Sequence, residues 1–328
     1  MISRLRGTDA VVIMKLGRNF ARVRTALAAA GRLADALYVE RASTGGEVVR
    51  PVSEVEAERV PYFSMIIVPG GDRRADAAGR AAAGSGAKEL FVVGLGPGGP
   101  DQVTPEVAGV LDRVDHVVGY GPYVARVPQR PGLHRHASGN TVEVERARFA
   151  LDLAVAGERV AVVSGGDAGV FGMAAAVYEA ADDEAYAGVR ITVLPGVSAA
   201  QAVAARAGAP LGGDFAVLSL SDRLKPWAVI EQRLRAAASA DLALAIYNPA
   251  SRSRTTQVKQ AKEILLQTRS AGVPVVIGRD VGRDGEELTV TTLGDLDPDL
   301  IDMRCLLIIG SSRTRVDRGA VWTPRSQP

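Results

Sequence analysis

Leu90-Phe91-Val92-Val93-Gly94-Leu95-Gly96-Pro97-Gly98-Gly99-Pro100 is an apolar run closed by a glycine-rich turn. The run reads as a buried strand. The turn lies where open α/β sheets bind ligands, at a strand's carboxyl end. Gly94-x-Gly96-x-x-Gly99 formally fits a dinucleotide fingerprint. Three details oppose that reading. Pro97 and Pro100 lack the backbone N–H that a pyrophosphate site needs. Asp101-Gln102 and Thr104-Pro105 push the next helix several residues downstream. The following strand candidate, His116-Val117-Val118-Gly119-Tyr120, ends without an acid to grip a ribose.

Short β-like runs then alternate with helical patterns. The runs are Leu90–Gly94, His116–Val118, Val160–Val163, Ile191–Leu194, Ala216–Leu220, Leu242–Tyr247 and Val275–Ile277. The helical candidates are Val142–Ala156, Ala168–Ala181, Ala199–Gly208, Trp227–Ala238 and Arg254–Ser270. This alternation predicts an α/β fold with a largely parallel sheet. Glu287–Leu293, after the turn signal Arg283-Asp284-Gly285, predicts a hairpin and therefore a mixed sheet in a second lobe. The two lobes are expected at 88–210 and 211–315, with a tail at 316–328. Residues 71–87, lacking large apolar side chains, read as a linker.

The stretch before that linker is expected to be a partial copy of the second lobe. Asp9–Gly17 parallels Asp241–Pro249, each followed by an arginine-bearing helix. Leu37–Arg41 parallels Val275–Arg279, and Met65–Gly70 parallels Leu306–Ser311. Four elements match in order, so residues 1–70 read as a truncated second lobe. That copy is expected to have no glycine-rich strand and loop of its own.

Composition bounds the function. The chain has 328 residues, 47% hydrophobic, with 39 Lys plus Arg against 37 Asp plus Glu. A net charge of +2 gives no electrostatic case for nucleic acid. The single cysteine, Cys305, sits in an apolar strand pattern, so no disulfide forms within the chain and a cytoplasmic setting is expected. No run is long and apolar enough for a membrane span, and no signal peptide is apparent. No metal is expected: the three histidines, His116, His134 and His136, do not make a ligand set.

Further turns follow strands at Ser164-Gly165-Gly166-Asp167, Leu194-Pro195-Gly196-Val197-Ser198 and Tyr247-Asn248-Pro249. Small residues let a ligand approach the backbone. Asp167 suits either capping the next helix or accepting from a ribose or amine, and Ser198 suits an N-cap. Gly119-Tyr120-Gly121-Pro122-Tyr123 concentrates aromatics in a chain where they make up 5%. Together these turns are expected to converge on one cleft.

The motifs Val92–Asp101, Ser164–Asp167 and Pro195–Ala199 resemble the tetrapyrrole methylases, which use S-adenosylmethionine. Gly119–Tyr123 and Asp214–Trp227 are similar to the precorrin-3B C17-methyltransferase branch of that family. Val12–Phe20, Tyr38–Ala42 and Pro61–Met65 are similar to the carboxyl-terminal part of the precorrin-2 C20-methyltransferase branch. The resemblance implies two α/β lobes with S-adenosylmethionine between them and a tetrapyrrole in an adjoining trough. It implies C17 methylation with ring contraction of precorrin-3B to precorrin-4 in cobalamin synthesis, with a cobalt-factor III methyltransferase or a non-catalytic scaffold as alternatives. It places Pro97, Gly165, Gly166, Asp167, Val170, Ser198, Ala199, Asn248 and Thr292 at the cofactor. Asn248 departs from a position where the family often has methionine. A homodimer is expected. Acid–base candidates are Tyr120, His134, His136 and Asp222; Arg126, Arg130 and Lys225 are candidates for the macrocycle's carboxylates.

Overall fold

The structure is a computed structural model that describes residues 10–42, 44, 46–69, 88–139 and 142–326. The chain divides into two compact units, Met1–Ala82 and Ala83–Pro328. Residues 71–87, read as a linker, lie outside the described residues.

The first unit runs β1 (Val11–Met14), α1 (Phe20–Ala29), β2 (Leu37–Glu40), β3 (Val48–Pro51) and β4 (Ser64–Val68). Its sheet has the order β1-β4-β2-β3, with every neighbour antiparallel. Phe20, Val23, Ala26 and Leu27 recur at helical spacing and bury one stripe of α1 against Tyr38, Ile66 and Val68. Arg32, just past the helix, donates to the carbonyl of Pro69, just past the last strand.

The second unit holds two five-stranded sheets. In its first lobe these are β5 (Glu89–Gly94), β6 (His116–Tyr120), β7 (His134–Ser138), β8 (Val160–Ser164) and β9 (Arg190–Leu194). They are ordered β7-β6-β8-β5-β9 and all parallel. The crossovers carry α2 (Pro105–Leu111), α3 (Gly121–Val124), α4 (Glu143–Val155) and α5 (Met173–Ala180); α6 (Ala199–Ala207) leads out. Strand β8 is buried at every position, as a central parallel strand must be. Helix α2 starts where the sequence placed it, capped by the Thr104 hydroxyl. Strand β7 lacked an apolar signal because it is an edge strand, reading His-Arg-His-Ala-Ser.

The second lobe comprises β11 (Phe215–Ser219), α7 (Trp227–Ser239), β12 (Ala243–Tyr247), α8 (Gln257–Leu266), β13 (Pro274–Arg279), β14 (Glu287–Thr292) and β15 (Cys305–Ile309). The order is β11-β12-β15-β13-β14. Only β11–β12 is parallel, and β13–β14 is the predicted hairpin. Helices α7 and α8 cover one face through Ile230, Leu234, Val258, Ala261 and Leu265. Helix α6, from the first lobe, covers the other through Ala200, Ala202 and Val203. The segment read as a tail is structured at its start: β16 (Arg315–Asp317) pairs with β17 (Ala320–Trp322), which pairs with β10 (Gly208–Ala209).

The internal copy is visible as topology. The order β1-β4-β2-β3 repeats as β12-β15-β13-β14. The sequence alignment needs a correction of one residue in its first two strands. Left-handed backbone occurs at Lys15 (φ 59°) and Asn248 (φ 48°), and again at Arg41 (φ 50°) and Asp280 (φ 46°). Arg269 after α8 donates to the carbonyl of Gly310, as Arg32 does to Pro69. These matches put Lys15, not Leu16, opposite Asn248 and Arg41 opposite Asp280. The shift matters because one residue of slip moves every strand side chain to the other face.

Candidate functional site

Three turns meet at the carboxyl ends of β5, β8 and β9. Gly96 and Gly166 form a two-way bridge, with Gly96 N–H to Gly166 O at 3.1 Å and Gly166 N–H to Gly96 O at 2.8 Å. A side chain on Gly94 would meet the Gly166 carbonyl at 2.6 Å and Gly196 N at 2.8 Å. So these glycines are required by backbone packing first. Gly165 is likewise crowded by the Tyr123 ring, 2.5 Å from where its Cβ would lie. Gly166 differs. It has φ +71°, a left-handed backbone that favours glycine, and a Cβ there would meet only Ala199 N at 3.8 Å and Val197 O at 3.9 Å, ordinary contact distances.

Asp167 ties the second and third turns. One carboxylate oxygen accepts from Gly169 N–H at 2.8 Å and Val170 N–H at 3.1 Å, the other from Gly196 N–H at 3.0 Å. It is not the helix cap the sequence suggested. Helix α5 starts at Met173, six residues after Asp167 rather than at Ala168, and the Met173 N–H is taken by the Ser164 hydroxyl at 3.0 Å. The carboxylate keeps free lone-pair capacity for a further donor. Ser198 forms a full capping box with Gln201 at the start of α6. Ala199 follows it as the first helical residue.

The first turn is held by two arginines. Arg126 donates to the carbonyls of Leu95 (2.5 Å), Gly96 (2.8 Å) and Gly98 (2.5 Å). Arg283, from the second lobe, donates to the Pro97 carbonyl at 2.8 Å. Burial and the neighbouring Arg283 charge both lower the Arg126 pKa. Gly98 packs so tightly on Gly282 that any side chain would overlap its carbonyl. The sequence reading treated Arg283 as a turn signal only. Nothing local marks a contact spanning 186 residues.

The fourth turn joins from β12. The Tyr247 hydroxyl accepts from Ala200 N–H at 3.0 Å, and its ring lies 5.3 Å from that of Phe171. Burial raises the Tyr247 pKa. Asn248 donates to the Ser219 hydroxyl at 2.9 Å, and its carbonyl accepts from the buried Arg254 at 3.0 Å. Asparagine tolerates the left-handed backbone required there. Asp222 belongs to the same network, bonded by Gln257 at 2.9 Å and paired with Arg254 at 3.6 Å. Tyr120 and Tyr123 stand edge to face, 5.4 Å apart, beside Gly165. Near them the sequence reading missed Arg146, buried in α4 and bonded to Ser138 Oγ at 2.8 Å.

Other expected residues lie elsewhere. Thr292 ends β14 opposite Pro274, at the far end of its sheet from Asn248, and its hydroxyl donates to Asp295 at 2.7 Å. His134 and His136 stack with His116 towards the amino ends of the parallel strands, with His116 Nδ1 2.9 Å from His136 Nε2. Burial, then the charges of His116 and His134, lower the His136 pKa. Among the described residues, no cluster of histidine, cysteine and carboxylate side chains is arranged to hold a metal, and no helix is long and apolar enough to cross a membrane. An open groove of about 900 Å³ lined by Arg313, Arg315, Trp322 and Arg325 contains none of these residues.

The chain is similar to known proteins over most of its length. The cobalamin biosynthesis protein CobIJ of Mycobacterium tuberculosis is 54% identical over 333 residues, which covers 99% of this chain and 63% of that protein. The chain therefore spans less than two thirds of that relative. A precorrin-3B C(17)-methyltransferase of Sinorhizobium is 49% identical over 243 residues, covering 72% of this chain and 96% of the relative. The crystal structure of the methyltransferase CobJ superposes with a TM-score of 0.70 at 46% identity, covering 72% of this chain and 99% of that one. Residues 89–297 match the family of tetrapyrrole (corrin/porphyrin) methylases. On that match and on these relatives, the chain belongs to the tetrapyrrole methylases.

Proposed function

We propose that the second unit transfers a methyl group from S-adenosylmethionine to C17 of precorrin-3B and contracts the ring to precorrin-4, in cobalamin synthesis. The observation that carries this reading is the meeting of three strand-end turns, where Gly96 bridges Gly166 and the Asp167 carboxylate, bonded by Gly196 N–H, keeps capacity for a further donor. The relative named precorrin-3B C(17)-methyltransferase, 49% identical over 243 residues, supports the same reading. Residues 88–210 and 211–315 are then the two lobes of the enzyme, and 1–70 a partial copy of the second.

Pro97, Gly165, Gly166, Asp167, Val170, Ser198, Ala199 and Asn248 would hold the donor. We leave Thr292 outside that set because of its place at the far end of β14. The donor supplies a methyl already activated by a positive sulfur. The protein's task is then to hold and align the acceptor carbon, which contributes roughly 7–11 kcal/mol in well-oriented systems. Arg126 and Arg283 immobilise the first turn, and Asp167 locks the second to the third, so the walls are preorganised. Of the acid–base candidates, Tyr120 alone stands at this end with no charged partner fixing it among the described residues. Asp222 is bound by Arg254 and Gln257, and the two histidines lie towards the other end of their sheet.

Calorimetric titration with S-adenosylhomocysteine tests the donor site; no binding at high micromolar concentration overturns it. Mass analysis of turnover with precorrin-3B tests the substrate. A requirement for cobalt in the macrocycle would reassign the substrate to cobalt-factor III.

A further inference from the structure

The sequence presents three cations to an acidic macrocycle: Arg126, Arg130 and Lys225. The structure separates them. Arg126 is spent on three carbonyls of the first turn. Arg130 donates to the carbonyls of Leu111 and Val114, at the end of α2. Lys225 is different. It is half-buried on the 220–226 segment after β11, and no carboxylate pairs with it among the described residues. Its ammonium lies 5.9 Å from the centroid of the Phe171 ring. Burial lowers its pKa, so the ammonium has lost water without gaining a counter-ion.

Phe171 is unusual in its own right. It belongs to the turn that begins with Asp167, adopts a left-handed backbone (φ 53°) and leaves 52% of its surface exposed. A bulky residue held in that region signals a functional constraint. Its other neighbour is the Tyr247 ring, whose hydroxyl accepts from the start of α6. Leu224, beside Lys225, is 90% exposed. An unpaired ammonium and a strained exposed aromatic thus stand together next to the Asp167 turn, with exposed Leu224 adjacent to the lysine in sequence. That surface suits a flat apolar ring bearing a carboxylate.

We propose that Lys225 and Phe171 are the recognition point for one peripheral carboxylate of the tetrapyrrole. The ammonium takes the carboxylate, and the Phe171 ring packs against the macrocycle edge. The inference rests on the methylase reading above. A second source of the same chemistry is the α-carboxylate of the methyl donor, so the test must separate the two.

The full chain is compared as wild type, Lys225→Gln, Lys225→Arg and Phe171→Leu. Thermal unfolding checks that each variant is folded. Losing a charge-assisted hydrogen bond raises KM for precorrin-3B about tenfold or more in Lys225→Gln, with kcat and S-adenosylhomocysteine affinity near wild type. Lys225→Arg recovers most of that loss, and Phe171→Leu raises KM by a smaller factor. A wild-type KM in Lys225→Gln overturns the inference. So does weakened S-adenosylhomocysteine binding with unchanged KM, which would assign the lysine to the donor. A wild-type chain that neither binds S-adenosylhomocysteine nor turns over precorrin-3B overturns the methylase reading itself, and this inference with it.

Discussion

The sheet β1-β4-β2-β3 of the first unit and the sheet β12-β15-β13-β14 of the second have one topology and different surroundings. Both bury one face under the helix that follows their first strand. They differ on the other face. In the second unit, Ala245 and Ile308 are 0% and 1% exposed, packed with Ala200, Ala202 and Val203 of α6. Their counterparts in the first unit, Val12 and Ile67, are 58% and 37% exposed, and Met14 is 62% exposed. Strand β12 is also flanked by β11, whereas β1 ends its sheet among the described residues. Strand order is therefore carried within each copy, while coverage of the second face is supplied by a different lobe.

The largest effect should separate these faces. Ile308→Asp buries an unpaired charge and should cost about 4 kcal/mol or more, whereas Ile67→Asp should cost under about 1 kcal/mol. Both tryptophans, Trp227 and Trp322, lie in the second unit, so their fluorescence during urea unfolding reports that unit. Far-UV circular dichroism reports both units, so a transition seen there and not in the fluorescence belongs to the first. Equal damage at the two positions would erase the distinction drawn here.

The matched arginines should rank next. Arg269 is 6% exposed and donates to Gly310 at 2.6 Å and Leu242 at 2.5 Å. Arg269→Ala strands buried carbonyls and should cost about 3 kcal/mol; Arg32→Ala, at a less buried site, should cost about 1 kcal/mol. The reverse order in urea midpoints would mean the two clamps are not equivalent.

A pH effect comes third. The Tyr38 pKa is pushed up to about 12, first by burial and then by its hydrogen bond to Glu40 at 2.9 Å. Ile277 occupies the matching place in the second unit and cannot titrate. Between the unfolded value near 10 and the folded value, the unfolded chain has lost the tyrosine proton and the folded chain keeps it. Stability of the first unit should accordingly fall as pH rises through that window, by up to about 2 kcal/mol. Tyr38→Phe should remove this part of the alkaline slope in thermal melts; an unchanged slope would assign it elsewhere. Smallest of all, Met14→Lys should shift stability by no more than about 0.5 kcal/mol, because that side chain already faces solvent.

Much of the fold was legible. Apolar runs such as Val160–Val163 are short, bounded and buried on both sides, and each became a strand. The Thr104-Pro105 helix start and the hairpin into Glu287 follow from capping and turn chemistry. What escaped was non-local. Strand β7 is a polar edge, and β17 is paired on one side by Gly208–Ala209, more than a hundred residues earlier in the chain. Asp167 suited either a helix cap or a ligand contact, and the sequence did not show that its oxygens serve two turns, one of them 29 residues away. The repeat was found but set one residue out in its early strands. Order along the chain does not fix the register of the two copies, and the left-handed backbone at Lys15 and Arg41 does.

The sequence by itself determined the order of strands and helices and the glycine turns at their ends. It also determined the family those turns belong to. Those properties arise from side-chain periodicity and backbone freedom within a few residues. Only the tertiary structure decided which charges remain free for a ligand. Arg126 and Arg130 are consumed by backbone carbonyls and Asp222 by an arginine and a glutamine, leaving Lys225 beside Phe171. A charged side chain is committed by whatever polar group folding brings within about 3 Å, and those groups come from elsewhere in the chain.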